Sequence, residues 1–180
     1  MAVNPRIKVR DMAYIALSAA FISVCAWISV PALVPFTLQT FAIFLCAAVF
    51  GAKRAFVAVA LYVLLGAIGL PVFSGFRGGF GMLFGATGGY ITGFLPAAVI
   101  AGWKSGKRKG MFGDVAAMVL ALIVCYAFGT VWYACVYASG LSGITAALMA
   151  CVVPYIVPDA LKIILAAMVA GRLRSVADKR

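Results

Sequence analysis

The chain has 180 residues, 66% of them hydrophobic and only 11% charged, with a mean hydropathy of +1.15. Soluble domains run nearer half apolar and a quarter charged, so that class is excluded. The formal net charge of +11 would suit a nucleic-acid binder, but its placement in the gaps between apolar runs excludes that reading too. The first apolar run, Met12 to Val30, is long enough to cross a bilayer and opens a series of such runs, so it is expected to be a retained span, not a cleaved signal. The connection Pro31-Ala-Leu-Val-Pro35 follows. A short second span, Thr37 to Phe50, ends at Gly51-Ala-Lys53-Arg54, and a third, Ala55 to Leu70, ends at Pro71.

Between Pro71 and Tyr90 there are seven glycines, at 75, 78, 79, 81, 85, 88 and 89, which is poor helix material. The stretch stays rich in Phe, Met and Leu, and irregular backbone near membrane depth is tolerated only against protein or a water-filled cavity. It is therefore expected to fold over the outer mouth of the bundle. A fourth span runs from Gly88 to Trp103, an interfacial aromatic. The fifth follows Asp114, predicted as its N-cap, and reaches Tyr137. Ile144–Val153 is only about ten residues and too short to span, so a short helix or re-entrant piece is expected there. The sixth span begins at Pro158 and ends near Gly171. The predicted fold is all-α: one transmembrane domain over residues 1–180 with six membrane-spanning helices.

The basic residues set the orientation. Arg6, Lys8 and Arg10; Lys53 and Arg54; Lys104, Lys107, Arg108 and Lys109; and Arg172, Arg174, Lys179 and Arg180 account for thirteen of the fifteen Lys and Arg. With six spans all four clusters share one face, which places the N- and C-termini in the cytoplasm and the protein in the cell (plasma or inner) membrane, surrounded by lipid. Five cysteines (Cys25, Cys46, Cys125, Cys135, Cys151) stand singly in apolar stretches, with no CxxC and no His in the chain. They read as small packing residues, and no metal site is expected.

Subtraction leaves few groups for chemistry. The leftover cations are Arg77 and Lys162; with Asp11, Asp114 and Asp178 assigned to the cytoplasmic face, the leftover carboxylate is Asp159, and the chain has no Glu. Pro158 suits a first helical turn, and a spacing of three puts Asp159 and Lys162 on one helix face. The fourteen residues from Pro158 to Gly171 span roughly 21 Å, less than a hydrocarbon core of about 30 Å, so both charges are expected in a recess below the outer surface. Ionisable residues at that depth are costly and face an interior or a cavity. They form either an internal ion pair locking the last span or a ligand site, a polar pair beside a broken helix being one way transporters build one. Thr37, Gln39, Thr40, Thr87 and Tyr90 stand at the outer ends of neighbouring spans, as helix caps or as further polar contacts. Phe36, Phe73, Phe76 and Trp132 could wall an apolar pocket. Gly79-Phe-Gly81-Met-Leu-Phe-Gly85 lacks the preceding strand and the Gly-Lys-Ser/Thr of a P-loop, so nucleotide binding is not expected. Ala16-Leu-Ser-Ala-Ala20 is a small-xxx-small pattern that serves either the protein's own bundle or an external helix.

At these residues the chain resembles the BioY family, the biotin-specific S components of energy-coupling-factor (ECF) transporters. The likeness covers nearly all of it. It rests on Val34-Pro-Phe-Thr-Leu-Gln39-Thr, the Gly51 turn with Lys53 and Arg54, Leu64-Leu-Gly-Ala-Ile-Gly-Leu-Pro71-Val-Phe73, Gly78-Gly-Phe-Gly-Met-Leu-Phe-Gly85, Thr87-Gly-Gly-Tyr90 and Pro158-Asp159-Ala-Leu-Lys162. The chain departs from the family pattern at Ala52 and Ala86, where proline is usual, and at Phe76-Arg77, which interrupts a more glycine-rich loop. The resemblance implies a six-helix S component with an outward-facing vitamin pocket and biotin as the transported ligand. Asp159 and Lys162 would anchor the ligand, with Gln39, Thr87 and Tyr90 assisting and Phe36 and Phe73 around the rings. It also implies an energy-coupling partner, one transmembrane scaffold and two ATPases, docking at Ala16 and Ala20. No cofactor and no catalytic residue follow from it. Another small vitamin, or a ligand-free scaffold subunit, would suit the same residues. A membrane enzyme would need a nucleophile–base pair or an acidic metal cluster, which this composition hardly supplies.

Overall fold

The computed structural model describes residues 8–32, 35–103, 110–137, 145, 148–149 and 151–177. Of the expected piece at 144–153, residues 145, 148–149 and 151–153 are described, with 145, 148, 149 and 151 helical, while the basic residues at 6, 104–109 and 179–180 lie outside the described residues.

Helix α1 spans Val9–Trp27. It stops three residues short of the expected Val30, because Ser29–Val30 (β1) turns into a two-residue ladder with Phe36–Thr37 (β2), pairing Ser29 with Thr37 and Val30 with Phe36. This hairpin returns the chain to the end of α1 and sets Thr37 at the start of α2, Gln39–Phe50. Twelve residues make α2 only about 18 Å long. It is buried nearly all round, through Ala42, Ile43, Phe44, Leu45, Cys46, Ala47 and Ala48, as a central helix should be. It packs against α1 and against three of the four long helices that follow it. Gly51, at φ +86°, turns the chain into α3, Ala52–Ala67.

The glycine-rich stretch is partly helical, with a 3₁₀ turn at Ser74–Phe76 and a single turn, α4, at Gly81–Phe84. It folds back on α3: Gly79 N–H donates to Gly66 O at 2.7 Å, and Phe73 lies so close to Gly66 that a β-carbon there would sit 2.1 Å from Phe73 Cζ. The Trp27 indole donates to Pro71 O at 2.8 Å and stacks on Phe76 at 4.9 Å, so α1 also holds this segment.

Helix α5 spans Gly88–Gly102, capped at Trp103, and α6 spans Met111–Tyr137. They approach closely because glycine replaces side chains at the seam. A β-carbon on Gly89 would lie 2.2 Å from Trp132 Cβ, and one on Gly129 would lie 2.2 Å from the Tyr90 ring. A 3₁₀ turn at Val153–Tyr155 leads into α7, Ile156–Ala177. That helix therefore begins two residues before Pro158 and runs past Gly171, its 22 residues spanning about 33 Å.

Asp114 is not the N-cap of α6, which starts three residues earlier; it sits in the first turn and accepts from Arg174 Nη2 of α7 at 2.6 Å. A long-range ion pair has replaced the local cap. With the Arg54–Asp11 pair at 2.8 Å, it ties the helix ends that carry Lys8, Arg10, Lys53, Arg54, Arg172 and Arg174. Replacing Arg174 by Ala leaves the buried Asp114 carboxylate without its cation. The expected loss is about 1 kcal/mol, modest because Arg174 keeps 24% of its side chain exposed; a thermal melt in detergent checks it.

Among the described residues, three helices are long and apolar enough to cross a membrane: Val9–Trp27, Met111–Val136 and Val153–Ser175. Gln39–Phe50 and Gly88–Gly102 are shorter apolar helices. The exterior is greasy, with Leu17, Leu64, Phe112, Ile123, Val131 and Leu165 all exposed, a surface suited to acyl chains and not to water. Four cysteines are buried, as expected of packing residues; Cys135 is exposed, and all five are free thiols.

Candidate functional site

At the end of the bundle opposite the Asp114–Arg174 pair, two neighbouring cavities open among the loops. The larger, about 380 Å³, is lined from β1 and the following turn (Ser29, Pro31), from the start of α2 (Gln39), from α3 (Tyr62), from the glycine-rich segment (Phe73, Arg77, Met82) and from α5 (Tyr90, Phe94). Its volume falls within the roughly 300–1,000 Å³ of small-molecule sites. The smaller, about 60 Å³, shares the walls Pro35, Thr37, Tyr90 and Phe94, and adds Phe36, Thr40, Tyr126, Tyr155, Asp159 and Lys162.

Asp159 and Lys162 lie on one face of α7 beside this smaller chamber, both about 95% buried. Lys162 Nζ meets Asp159 Oδ1 at 2.7 Å, and the Tyr126 hydroxyl donates to Asp159 Oδ2. The ammonium also stands 3.8 Å from the centre of the Phe36 ring and 3.5 Å from Thr40 Oγ1. Neighbours on α2, β2 and α6 thus close on the pair, as a buried charge requires.

The expected site residues therefore divide. Gln39, Thr87 and Phe73 line the larger cavity, Asp159, Lys162 and Phe36 the smaller, and Tyr90 stands between them. Phe76 lines neither and stacks on Trp27, while Trp132 donates to Gly85 O at 3.0 Å on the α5–α6 seam. Arg77 is exposed where it lines the larger cavity and enters no ion pair among the described residues. Ala16 and Ala20 are exposed on α1. Sequence reasoning missed Tyr62 and Tyr126. A tyrosine inside an otherwise apolar span is the signal that could have found both, since its hydroxyl must meet a partner when buried.

Aromatic and polar groups convergent on a cavity at one end of an apolar helical bundle, with a buried ion pair alongside, make a membrane-embedded solute-binding protein. The chain belongs to the BioY family, whose model matches residues 1–179. It is 40% identical over 172 residues to the biotin transporter BioY of Thermotoga maritima, covering 95% of this chain and 99% of that one. It is 39% identical over 168 residues to a probable biotin transporter BioY of Pyrococcus horikoshii, covering 93% and 98%. Among solved structures, it is similar to the crystal structure of the S component for biotin from an ECF-type ABC transporter, with TM-score 0.82 and 26% identity over 97% of this chain and 95% of that one.

Proposed function

We propose that the chain captures biotin as the S component of an ECF-type importer. The observation that carries this reading is the 380 Å³ cavity walled by Tyr62, Phe73, Tyr90 and Gln39 and adjoining the closed Asp159–Lys162–Tyr126 network, in a chain whose biotin-transporter relatives match it end to end. Membership of a transporter family sets the enzyme reading aside.

The finer assignments follow from the same frame. Helices α1, α2, α3, α5, α6 and α7 are six membrane crossings of one domain, with the short α2 and α5 shielded within the bundle. The end holding the Asp114–Arg174 pair and its basic neighbours faces the cytoplasm across the cell membrane, in keeping with the positive-inside rule. The cavity then opens outward. Asp159, Lys162, Gln39, Thr87, Tyr90, Phe36 and Phe73 serve the ligand, directly or by holding its chamber. The fused ring head of biotin enters toward the buried wall, and its valerate carboxylate stays at the mouth, where Arg77 carries a charge that no described carboxylate answers. Lys162 is already neutralised by Asp159, so Arg77 is the better partner for an anion. The exposed Ala16 and Ala20 allow an energy-coupling module of one transmembrane scaffold and two ATPases to approach α1 closely.

Titration of the purified protein with biotin by calorimetry, together with mass identification of any small molecule carried through purification, tests the assignment. Saturable binding of biotin is the expected result. No binding at micromolar biotin would sink it, and a different co-purified vitamin would redirect it.

A further inference from the structure

Two polar atoms on side chains that line the larger cavity have no hydrogen-bond partner: the Tyr62 hydroxyl and Gln39 Nε2. Both side chains are more than nine-tenths buried, and Tyr62 is fully so. Tyr62 and Gln39 are neighbours, but neither the hydroxyl nor the amide nitrogen completes a hydrogen bond of normal geometry. Buried polar groups left in this state are rare in native proteins and call for a cause. Strain in a poorly packed region is not the cause here. The Tyr62 ring is fixed edge-on against Phe73, with centroids 5.4 Å apart, and Phe73 is itself seated on Gly66.

We infer that Tyr62 is a ligand-contacting, specificity-determining residue, and that with Gln39 it clamps the ureido group of the incoming ring system. This rests on the biotin reading above. An amide offers two N–H donors and a carbonyl acceptor, and a phenol both donates and accepts. A cyclic urea presents a carbonyl flanked by two N–H groups, so one such unit satisfies both side chains at once. A rigid tyrosine loses little conformational freedom on forming the contact, which favours recognition over general stickiness.

The test is Tyr62→Phe in the full-length protein, with binding of biotin and of desthiobiotin, which keeps the ureido group and lacks the fused thioether ring. The expected result is about a fivefold loss of affinity for both ligands by the same factor, the worth of a neutral hydrogen bond. The melting temperature of the ligand-free protein should stay level or rise, because the deleted hydroxyl had no protein partner. Gln39→Leu should repeat the pattern, so a poorly expressing first variant does not end the test. Wild-type affinity in both variants, or a loss for biotin alone, overturns the clamp while leaving the biotin reading standing. So does a fall in ligand-free stability in step with affinity, which marks Tyr62 as merely structural. A wild-type protein that binds neither ligand overturns the biotin reading itself.

Discussion

Lys162→Ala is expected to remove measurable biotin binding and to destabilise the ligand-free protein by about 3–5 kcal/mol, the cost of leaving one member of a buried pair uncompensated. Both side chains of the pair are only 6% exposed, so no solvent screening softens the change. Stability and binding can then be separated. Replacing both charges with apolar groups of similar volume is often neutral or stabilising. Asp159→Leu with Lys162→Met, and Tyr126→Phe to avoid stranding that hydroxyl, should therefore recover most of the lost melting temperature. It should not recover biotin binding, and added biotin should give no thermal shift, whereas ligand at a hundredfold excess over Kd adds about 2.7 kcal/mol to a competent protein. If the triple variant bound biotin like the wild type, the pair would be an internal lock and nothing more.

The same pair shows how far the sequence alone could reach. In a chain with four acidic residues and no His, each ionisable side chain inside an apolar run is conspicuous because burial makes it costly. Subtraction found Asp159 and Lys162 for that reason. It could not find the division into two chambers. That division depends on how Phe73 reaches back over Gly66 and how Tyr90 is pressed against Gly129, contacts between distant residues that leave no periodic trace. Apolar runs located α1, α2, α3, α5, α6 and α7, but their ends drifted where tertiary partners decided them. The Ser29–Thr37 pairing cut α1 short. Arg174, sixty positions downstream, drew Asp114 into an ion pair where local sequence suggested a cap. The tyrosines were hidden for another reason: Tyr62 and Tyr126 count as hydrophobic in any periodicity, and tertiary packing alone decides where their hydroxyls end.

What stabilises the bundle is also separate from what meets the solute. The groups around Asp159 and Lys162 satisfy one another in a chamber of about 60 Å³, too small for a bicyclic ring. The wall of the 380 Å³ cavity instead carries the unanswered polar atoms. A ligand gains most where the protein is incompletely satisfied. The ion pair thus acts on the ligand chiefly through the residues shared by both chambers. Pro35, Thr37, Tyr90 and Phe94 line the two cavities alike, so removing the charges, even at constant volume, changes the polar surroundings of the wall that the larger one presents to the ligand.

Arg77→Ala should lower biotin affinity about tenfold, the lower end of what a charge-assisted hydrogen bond contributes, since exposure at the mouth lets water and salt screen the contact. The loss should shrink as ionic strength rises. Binding of biotin amide, which has no carboxylate, should be the same in wild type and variant, and Arg77→Lys should keep part of the difference. Melting temperature should not move, because Arg77 makes no ion pair among the described residues and its neighbour Phe76 remains stacked on Trp27. The backbone there is independently held, with Phe73 N–H donating to Arg77 O at 2.9 Å, so removing the side chain should not release the loop. Equal affinity for biotin in wild type and Arg77→Ala would place the carboxylate elsewhere. Lys162 is the remaining cation beside these cavities; to take the carboxylate it would have to share Asp159's hold on it, and the ring head would then point outward.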